Sequence, residues 1–269
     1  MLSVNRYFDL GYFFFDKYQN NFGKLNEIYN NFHNIVSDMN IIKCLISGKY
    51  YGKITNELRI IINSRISNLS KISKELEISY QTLFRIMKKR DYWCNIKILI
   101  SLGEILSIEK KYIIENIILI KTHNSFPFDF KIINLDLPDF YSIIGHILGD
   151  CGFHIVQKEG KYRPFYSNVE KNLLHSFTRS IKNVFGNVKI YKRERKDRAS
   201  EVWLSSSIGL LLFEIMSYDE KHTKMIPSFI INNTDPNKIG AFLQAIYDDD
   251  GYLYPSKKMI VFAQKRKHL

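Results

Sequence analysis

IIGHILGDCG at residues 143–152 and FLQAIYDDDG at 242–251 repeat one pattern. Each stretch is apolar with helical spacing, has a small residue near its middle, Gly145 or Ala245, and ends in an aspartate beside a glycine. A small residue on the contact face lets two helix backbones approach closely. The repeat therefore predicts two similar helices that pack against each other and bring their acidic ends together.

Two aspartates, Asp150 and Asp250, would meet at these helix ends. An acid at a helix C-terminus opposes the helix dipole at a cost of about 0.3–1 kcal/mol, and neighbouring carboxylates repel each other. A divalent cation removes both penalties, and hard oxygen ligands without His or Cys at ligand spacing favour Mg²⁺ or Mn²⁺. For one motif, an ordinary amphipathic helix ending in exposed acids would be the better interpretation. Two motifs with matching flanks favour a metal site.

The repeat resembles the motif of the LAGLIDADG homing endonucleases, and the resemblance extends over residues 136–269. After the first copy, the sequence predicts a hairpin, a helix, a second hairpin and a short helix, at 153–167, 169–186, 187–207 and 208–216. With the first motif helix, this order is the αββαββα half-unit of that family. The resemblance implies an α+β fold with one such unit and a partial second copy.

The chain divides into three predicted parts. Residues 1–122 form a region expected to be helical, and two prolines with turn-forming neighbours mark 123–138 as a linker. The resemblance places an endonuclease-like domain at 139–269, with its first half at 139–231 and its second half at 232–269.

The second half is expected to be incomplete. VFAQKRKHL (261–269) aligns with FYSNVEKNL (165–173) of the first half. By this alignment the second half lacks its middle helix, its last two strands and its closing helix. A sheet with an open edge is a liability on its own. We therefore expect an inactive product, a truncated one, or one that a second chain completes.

The resemblance also implies roles for individual residues. In the family, the acid before the final glycine of each motif binds metal and acts in catalysis, and the carbonyl before that acid can contribute. Carried over, this gives Asp150 with the carbonyl of Gly149, and Asp250 with the carbonyl of Asp249. Supporting residues on the strands would be Gln157, Gln264 and Lys265. The implied reaction is metal-dependent hydrolysis of a phosphodiester bond in DNA.

The chain is strongly basic, with a formal net charge of +12. Much of this charge lies on the two predicted hairpins, and a two-stranded ribbon fits the major groove of double-stranded DNA. Basic side chains there would contact phosphates, so binding should weaken steeply with salt. The candidate DNA-binding residues of the hairpins are Lys158, Lys161, Arg163, Lys189, Lys192, Arg193, Arg195, Lys196 and Arg198.

A second candidate for DNA binding is LSKISKELEISYQTLFRIMK (69–88), which has the apolar spacing of a helix-turn-helix. Its turn carries Glu77 where glycine is usual. The second helix, predicted at 79–89, would present a polar first turn and a basic end, which suits a major groove. The alternative is a plain amphipathic hairpin with a solvated basic face. The residues expected to face outward are Tyr80, Gln81, Thr82, Arg85 and Lys88.

The cysteines and the hydropathy pattern bear on the compartment. Cys44, Cys94 and Cys151 are too few and too widely spaced for a disulfide framework or a zinc pair, which favours a reducing cytoplasm. Cys151 stands where the motif usually has glycine, and we assign it no catalytic role. No apolar run is long enough to predict a membrane-spanning helix.

Three functions remain open at this stage. The first is a site-specific endonuclease that cuts double-stranded DNA, favoured by both acids. The second is a DNA-binding regulator in which a helix-turn-helix is joined to a nuclease fold that no longer cuts, favoured by the incomplete second half. The third is an RNA-binding intron maturase, which rests on the habits of the family alone.

Overall fold

The structure is a computed structural model that describes residues 44–123, 125–130, 132–156, 158, 160–195, 198–216, 226–254 and 259–262. For 252–254 and 259–262 it describes the backbone only. All described residues belong to one unit that spans Lys43–Leu269. Helices combine with antiparallel sheets, so the predicted α+β class is confirmed.

The N-terminal part of this unit is built on a four-stranded antiparallel sheet in the order β2-β1-β3-β4. Its strands are β1 (Tyr50–Ile54), β2 (Cys94–Asn95), β3 (Ile117–Thr122) and β4 (Phe128–Asp129). Five helices lie between these strands in the chain: α1 (Asn56–Arg65), α2 (Leu69–Glu75), α3 (Tyr80–Lys88), α4 (Ile96–Ile105) and α5 (Lys110–Glu115).

Helices α2 and α3 form the pair predicted at 69–88, and each begins at a polar cap. Asn68 accepts a hydrogen bond from the Lys71 backbone, and Ser79 accepts one from the backbone of Thr82. Between the helices, Glu77 adopts a φ of 54°, the left-handed conformation that explains why glycine is usual at such a turn.

The C-terminal part begins with the predicted half-unit, whose order of elements is confirmed. It runs α6 (Pro138–Leu148), β5 (Cys151–Val156), β6 (Lys161–Asn168), α7 (Lys171–Phe185), β7 (Ile190–Arg193), β8 (Ser200–Leu204) and α8 (Ser206–Ile215). The four strands form an antiparallel sheet in the order β5-β6-β8-β7. On β6, side chains alternate between buried and half-buried, so one face of the sheet covers the core and the other faces outward.

A short helix, α9 (Ser228–Ile231), precedes the second motif helix, α10 (Pro236–Asp250). Strands β9 (Gly251–Tyr254) and β10 (Met259–Phe262) then form a two-stranded antiparallel sheet. Within the described part of the chain, no helix is long and apolar enough to cross a membrane.

Strands occur where the sequence analysis predicted helix or linker. β3 lies at the end of the stretch predicted to be helical, and β4 lies within 123–138, where it pairs with β3. The cause is the sequence IILIKT of β3: a short apolar run fits a buried strand as well as a helix turn. Pairing with β1 over its whole length decides in favour of the strand.

A buried hydrogen-bonded joint connects the N-terminal sheet to α8. The Tyr50 hydroxyl donates to the carbonyl of Ser207 (2.9 Å), and the Thr122 backbone N–H donates to the Ser207 hydroxyl (3.0 Å). At the rim, Lys49 forms an ion pair with Glu214 (2.8 Å). Burial is the largest cause of a pKa of Tyr50 well above its usual value, so its hydroxyl stays a donor.

Candidate functional site

The two motif helices, α6 and α10, cross at small residues. A Cβ atom on Gly145 would lie 2.6 Å from the Phe242 carbonyl oxygen and 2.7 Å from the Cβ of Ala245, which is closer than packed atoms can approach. The backbones are therefore in contact, and only glycine fits on the α6 side. This confirms the prediction that the two helices pack through their small residues.

The next contact along the crossing joins Gly149 to Asp249. A Cβ on Gly149 would lie 2.6 Å from Oδ2 of Asp249, so the missing side chain on one helix makes room for the carboxylate on the other. The Asp249 side chain is fully buried, with 0% of its surface exposed. A buried carboxylate is costly unless it is hydrogen-bonded.

Within the described part of the chain, the Asp249 carboxylate has three hydrogen-bonding partners, all from the first half-unit. The Tyr166 hydroxyl donates to Oδ1 (2.5 Å), and the backbone N–H of Asp150 donates to Oδ2 (3.3 Å). His146, whose side chain is 3% exposed, places Nδ1 3.0 Å from Oδ2. Hydrogen bonds therefore reach both oxygens of the buried carboxylate.

Asn168 extends this network to the side chain of Asp150. Its amide nitrogen donates to Oδ2 of Asp150 (3.2 Å) and to the hydroxyl of Tyr166 (3.2 Å). Its amide oxygen accepts the backbone N–H of Glu170 (2.9 Å), which fixes the orientation of the amide group. We call Asp249, His146, Tyr166 and Asn168 the crossing network.

The electrostatics of the crossing network keep its phenol protonated. Burial is the largest cause of a raised pKa of Tyr166, followed by the hydrogen bond to Asp249 and its charge. The Tyr166 ring packs against both His146 and Phe177, with ring centroids 4.8 Å from each, and those two rings are themselves 5.7 Å apart. Burial also raises the pKa of Asp248, and His146 offsets part of that shift.

The side chain of Asp249 was missed by the sequence analysis, which used only its carbonyl. Asp150 is exposed at the end of α6, and Asp250 is the last residue of α10 and is half-exposed. The structure brings the two helix ends together through the Asp150 N–H, while the catalytic and metal-binding roles of both acids stay predictions. Cys151 is buried in β5, opposite Tyr166 in the ladder.

The donors at the helix ends fit a Mg²⁺-type cation better than a Zn²⁺-type one. The part of the chain that the structure describes contains no group of three or more His, Cys, Asp or Glu side chains that could hold a metal. A closed zinc site needs such a set. Mg²⁺ is commonly held by one or two carboxylates together with water and substrate phosphate. Asp150 and Asp250 can supply the two carboxylates.

The outer face of the β5–β8 sheet combines aromatic and basic side chains. Phe165 on β6 pairs with Trp203 on β8, which pairs with Tyr191 on β7. The Phe165 and Trp203 rings stack with centroids 4.6 Å apart. The Arg163 guanidinium lies 5.6 Å from the Trp203 ring centroid and 5.7 Å from that of Tyr191, within range of cation–π attraction.

The predicted DNA-binding residues of the hairpins are distributed unevenly. Lys161 and Arg163 alternate with the buried residues of β6 and so lie on the outer face, and Arg193 lies two residues from Tyr191 on the same face of β7. Lys192 pairs with the buried Val202, but is itself exposed. Arg195 forms an ion pair with Glu201 (2.8 Å), which partly neutralises it. Lys158, Lys189 and Arg198 are exposed. Lys196, and the predicted supporting residues Gln157, Gln264 and Lys265, lie outside the described residues.

Helix α3 presents most of its predicted residues to solvent. Gln81, Arg85 and Lys88 are exposed and Thr82 is half-buried. Tyr80 is 52% exposed and stacks on Phe84, which is 44% exposed and which the sequence analysis missed. The spacing of four residues could have revealed this pair, because such residues are neighbours on a helix surface.

The C-terminal end of α3 is fixed by the buried guanidinium of Arg59 on α1. Its nitrogens donate to the carbonyls of Ile86, Lys89 and Arg90. A cation at this end also interacts favourably with the helix dipole. Burial is the largest cause of a lowered pKa of Arg59, followed by the charge of Arg90.

Among solved structures, the chain is similar to a homing endonuclease. That structure is the homing endonuclease I-WcaI bound to its DNA recognition sequence, which is 17% identical, with a TM-score of 0.30. The match covers 44% of this chain and 52% of that chain, so the chain spans about half the length of that structure. No protein-family model matches the chain, and no curated protein matches it. A similarity this partial says nothing about the activity of this chain.

Proposed function

We propose that this chain is a homing-endonuclease-like protein that binds double-stranded DNA at a specific site and hydrolyses a phosphodiester bond. The observation that carries the proposal is the crossing of α6 and α10 at Gly145, which brings together two helix ends that each carry an aspartate. Exposed carboxylates at adjoining helix C-termini are electrostatically unfavourable without a cation.

The proposed ligands of Mg²⁺ or Mn²⁺ are the side chains of Asp150 and Asp250 and the carbonyls of Gly149 and Asp249. A cation bound there would polarise the scissile phosphate and lower the pKa of an attacking water. The protein's own part is to hold the acids at the helix ends and to align the phosphate backbone over them. Gln157, Gln264 and Lys265, which the sequence predicts as supporting residues, remain part of the proposal.

The proposed DNA-binding surface is the outer face of the β5–β8 sheet, next to the ends of α6 and α10. Its strands begin or end close to Asp150, since β5 starts at the next residue. The basic residues there would contact phosphates, and Phe165 and Trp203 supply flat apolar surface for sugars and bases. Phosphate contacts fix the position on the duplex, and base-edge contacts specify the sequence.

Helix α3 is proposed as a second contact with the duplex, in the manner of a helix-turn-helix. It has an exposed polar and aromatic first turn and a basic last turn, and it packs against α1 and α2. Aromatic and methyl groups in a major groove contact the thymine methyl, while glutamine and arginine read adenine and guanine edges.

The function is tested by selecting bound fragments from a pool of random duplex DNA and incubating them with the protein in Mg²⁺, Mn²⁺ or EDTA. The expected result is cleavage at a defined sequence in either metal and none in EDTA. Full cleavage in EDTA would contradict the metal-dependent mechanism. Sequence-specific binding without cleavage in any metal would indicate a regulator instead, and preference for an RNA pool would indicate a maturase.

Replacing Gln81, Arg85 and Lys88 of α3 by alanine is expected to weaken DNA binding and to flatten its salt dependence. Two positive charges are removed, so the slope of log affinity against log salt should fall by about 2, at about 0.9 per phosphate contact. The measurement is a series of dissociation constants from about 50 to 200 mM salt.

The matched control for α3 removes the same charge elsewhere. Lys110 and Lys111 are exposed at the start of α5, and replacing both by alanine should leave the salt slope nearly unchanged. Equal slopes for the wild-type protein and the α3 variant would assign α3 to packing alone.

A further inference from the structure

We infer that Asp249 is a positioning residue that holds the catalytic aspartate Asp150 in place from across the helix crossing. The inference rests on the proposed function, since it concerns the same site. It assigns to the side chain of Asp249 a role distinct from metal binding by its carbonyl. Asp249 belongs to the second motif and Asp150 to the first, so one copy of the repeat orders the acid of the other.

The first hold is on the backbone. Oδ2 of Asp249 accepts the N–H of Asp150 at 3.3 Å, at the point where α6 ends and β5 has not yet begun. The Gly149 N–H still donates to the Gly145 carbonyl in the helical pattern (3.0 Å). The carboxylate therefore fixes the direction in which the chain leaves the helix, and with it the Cα–Cβ bond of Asp150.

The second hold is on the side chain and passes through two residues. Oδ1 of Asp249 accepts the Tyr166 hydroxyl, and that hydroxyl in turn accepts one N–H of Asn168. The other N–H of Asn168 donates to Oδ2 of Asp150. The Tyr166 hydroxyl has a single proton, which it donates to Asp249. Its oxygen can therefore only accept from Asn168, and this sets the direction of every hydrogen bond in the series.

Packing alone does not account for a carboxylate at this position. The Asp249 side chain is fully buried, and an apolar side chain would avoid the cost of burying a charge. Gly149 provides the space, and His146 adds a third hydrogen bond that compensates the charge. The three partners found among the described residues all lie on the half-unit that carries Asp150.

The test compares Asp249→Asn and Tyr166→Phe with Asp248→Asn in the full chain. Asparagine keeps the shape of Asp249, and phenylalanine keeps the ring packed against His146 and Phe177 while losing the hydroxyl. Asp248→Asn makes the same chemical change one residue away; Asp248 interacts with the charges of His146 and Asp249 but does not share the hydrogen bonds that link Asp249 to Asp150. Thermal unfolding checks that each variant folds. If Asp249→Asn does not fold, Tyr166→Phe alone provides the test.

The first readout is structural and needs no metal. Nuclear magnetic resonance of the ¹⁵N-labelled chain should show shifted side-chain amide signals for Asn168 and hydrogen exchange of the Asp150 N–H at least about 10-fold faster in Asp249→Asn. In Tyr166→Phe the Asn168 signals should shift while the exchange of the Asp150 N–H stays slow. Asp248→Asn should leave both unchanged.

The second readout is the affinity for Mn²⁺ alone, measured by electron paramagnetic resonance on the protein bound to its selected duplex. Loss of a group that orients a metal ligand typically costs about 10–100-fold in metal affinity, and we expect this for Asp249→Asn and Tyr166→Phe. DNA affinity without metal should not change. Wild-type amide signals, exchange and Mn²⁺ affinity in both variants would overturn the inference. If the wild-type chain neither binds Mn²⁺ nor cuts DNA, the proposed function fails, while the amide readouts still decide whether Asp249 positions Asp150.

Discussion

Asp150→Asn and Asp250→Asn are each expected to reduce DNA cleavage by at least about 100-fold while leaving DNA binding measurable. Each substitution removes a carboxylate from the proposed metal site, and the charge stabilisation that a cation gives the transition state is worth several kcal/mol, with a tenfold loss of rate for about 1.4 kcal/mol. The measurement is the single-turnover rate on the selected duplex in saturating Mg²⁺, next to a binding titration in Ca²⁺.

Asp248→Asn is the control for this pair, because it removes a neighbouring acid that we place outside the metal site. Its cleavage rate should stay within a few-fold of the wild type. Should either Asp150→Asn or Asp250→Asn cut at the wild-type rate, the mechanism that needs both acids is wrong. A loss of binding together with cleavage would point to damage to the fold.

Gly145→Val is expected to destabilise the protein by about 3 kcal/mol or more. Its first side-chain atom would lie 2.6 Å from the Phe242 carbonyl oxygen, and this neighbour is backbone that cannot rotate away. The helices must then separate, which exposes apolar surface and strains the core. Chemical denaturation followed by circular dichroism gives the free energy of unfolding.

Gly240→Ala, on α10, is the control for Gly145→Val. It lies in α10 with open space around its Cα, so a Cβ meets nothing. Alanine there should stabilise the helix by roughly 0.5–1 kcal/mol, because glycine loses more conformational freedom on folding. A small effect of Gly145→Val, similar to that of Gly240→Ala, would show that the two helices do not pack as described.

The motif helices could be predicted from sequence, whereas the inward-facing acid could not. Apolar periodicity and the small residues Gly145 and Ala245 were enough to predict two packed helices. Residues 248–250 are all aspartate, and successive residues point about 100° apart around a helix. Which of them faces α6 depends on the rotation of α10 in the crossing, and that rotation follows from the space left by Gly149.

The N-terminal sheet escaped prediction for a different reason. Its strands are short and far apart in the chain, and β3 comes directly after the helical stretch that ends at Glu115. The local sequence ILIKT fits a helical turn as well as a strand. What makes it a strand is pairing with β1, which lies far away in the chain, with Tyr50 opposite Thr122. The crossing network also depends on contacts between residues far apart in the chain. In the sequence, Tyr166 and Asn168 look like ordinary inward-facing residues of β6, so their role cannot be recognised there.

The joint between the N-terminal sheet and α8 would set the distance between the two proposed DNA contacts. Tyr50, Thr122 and Ser207 fix the N-terminal sheet to α8 of the first half-unit through buried hydrogen bonds, which restrains the position of α3 relative to the outer sheet face. For a chain that touches DNA with both surfaces, the number of base pairs between the two contacts is then dictated by the protein. B-form DNA turns once in about 10 base pairs, so a changed length would also rotate one contact away from its surface. Substituting the bases between the contacts would be tolerated, whereas inserting or deleting them would not.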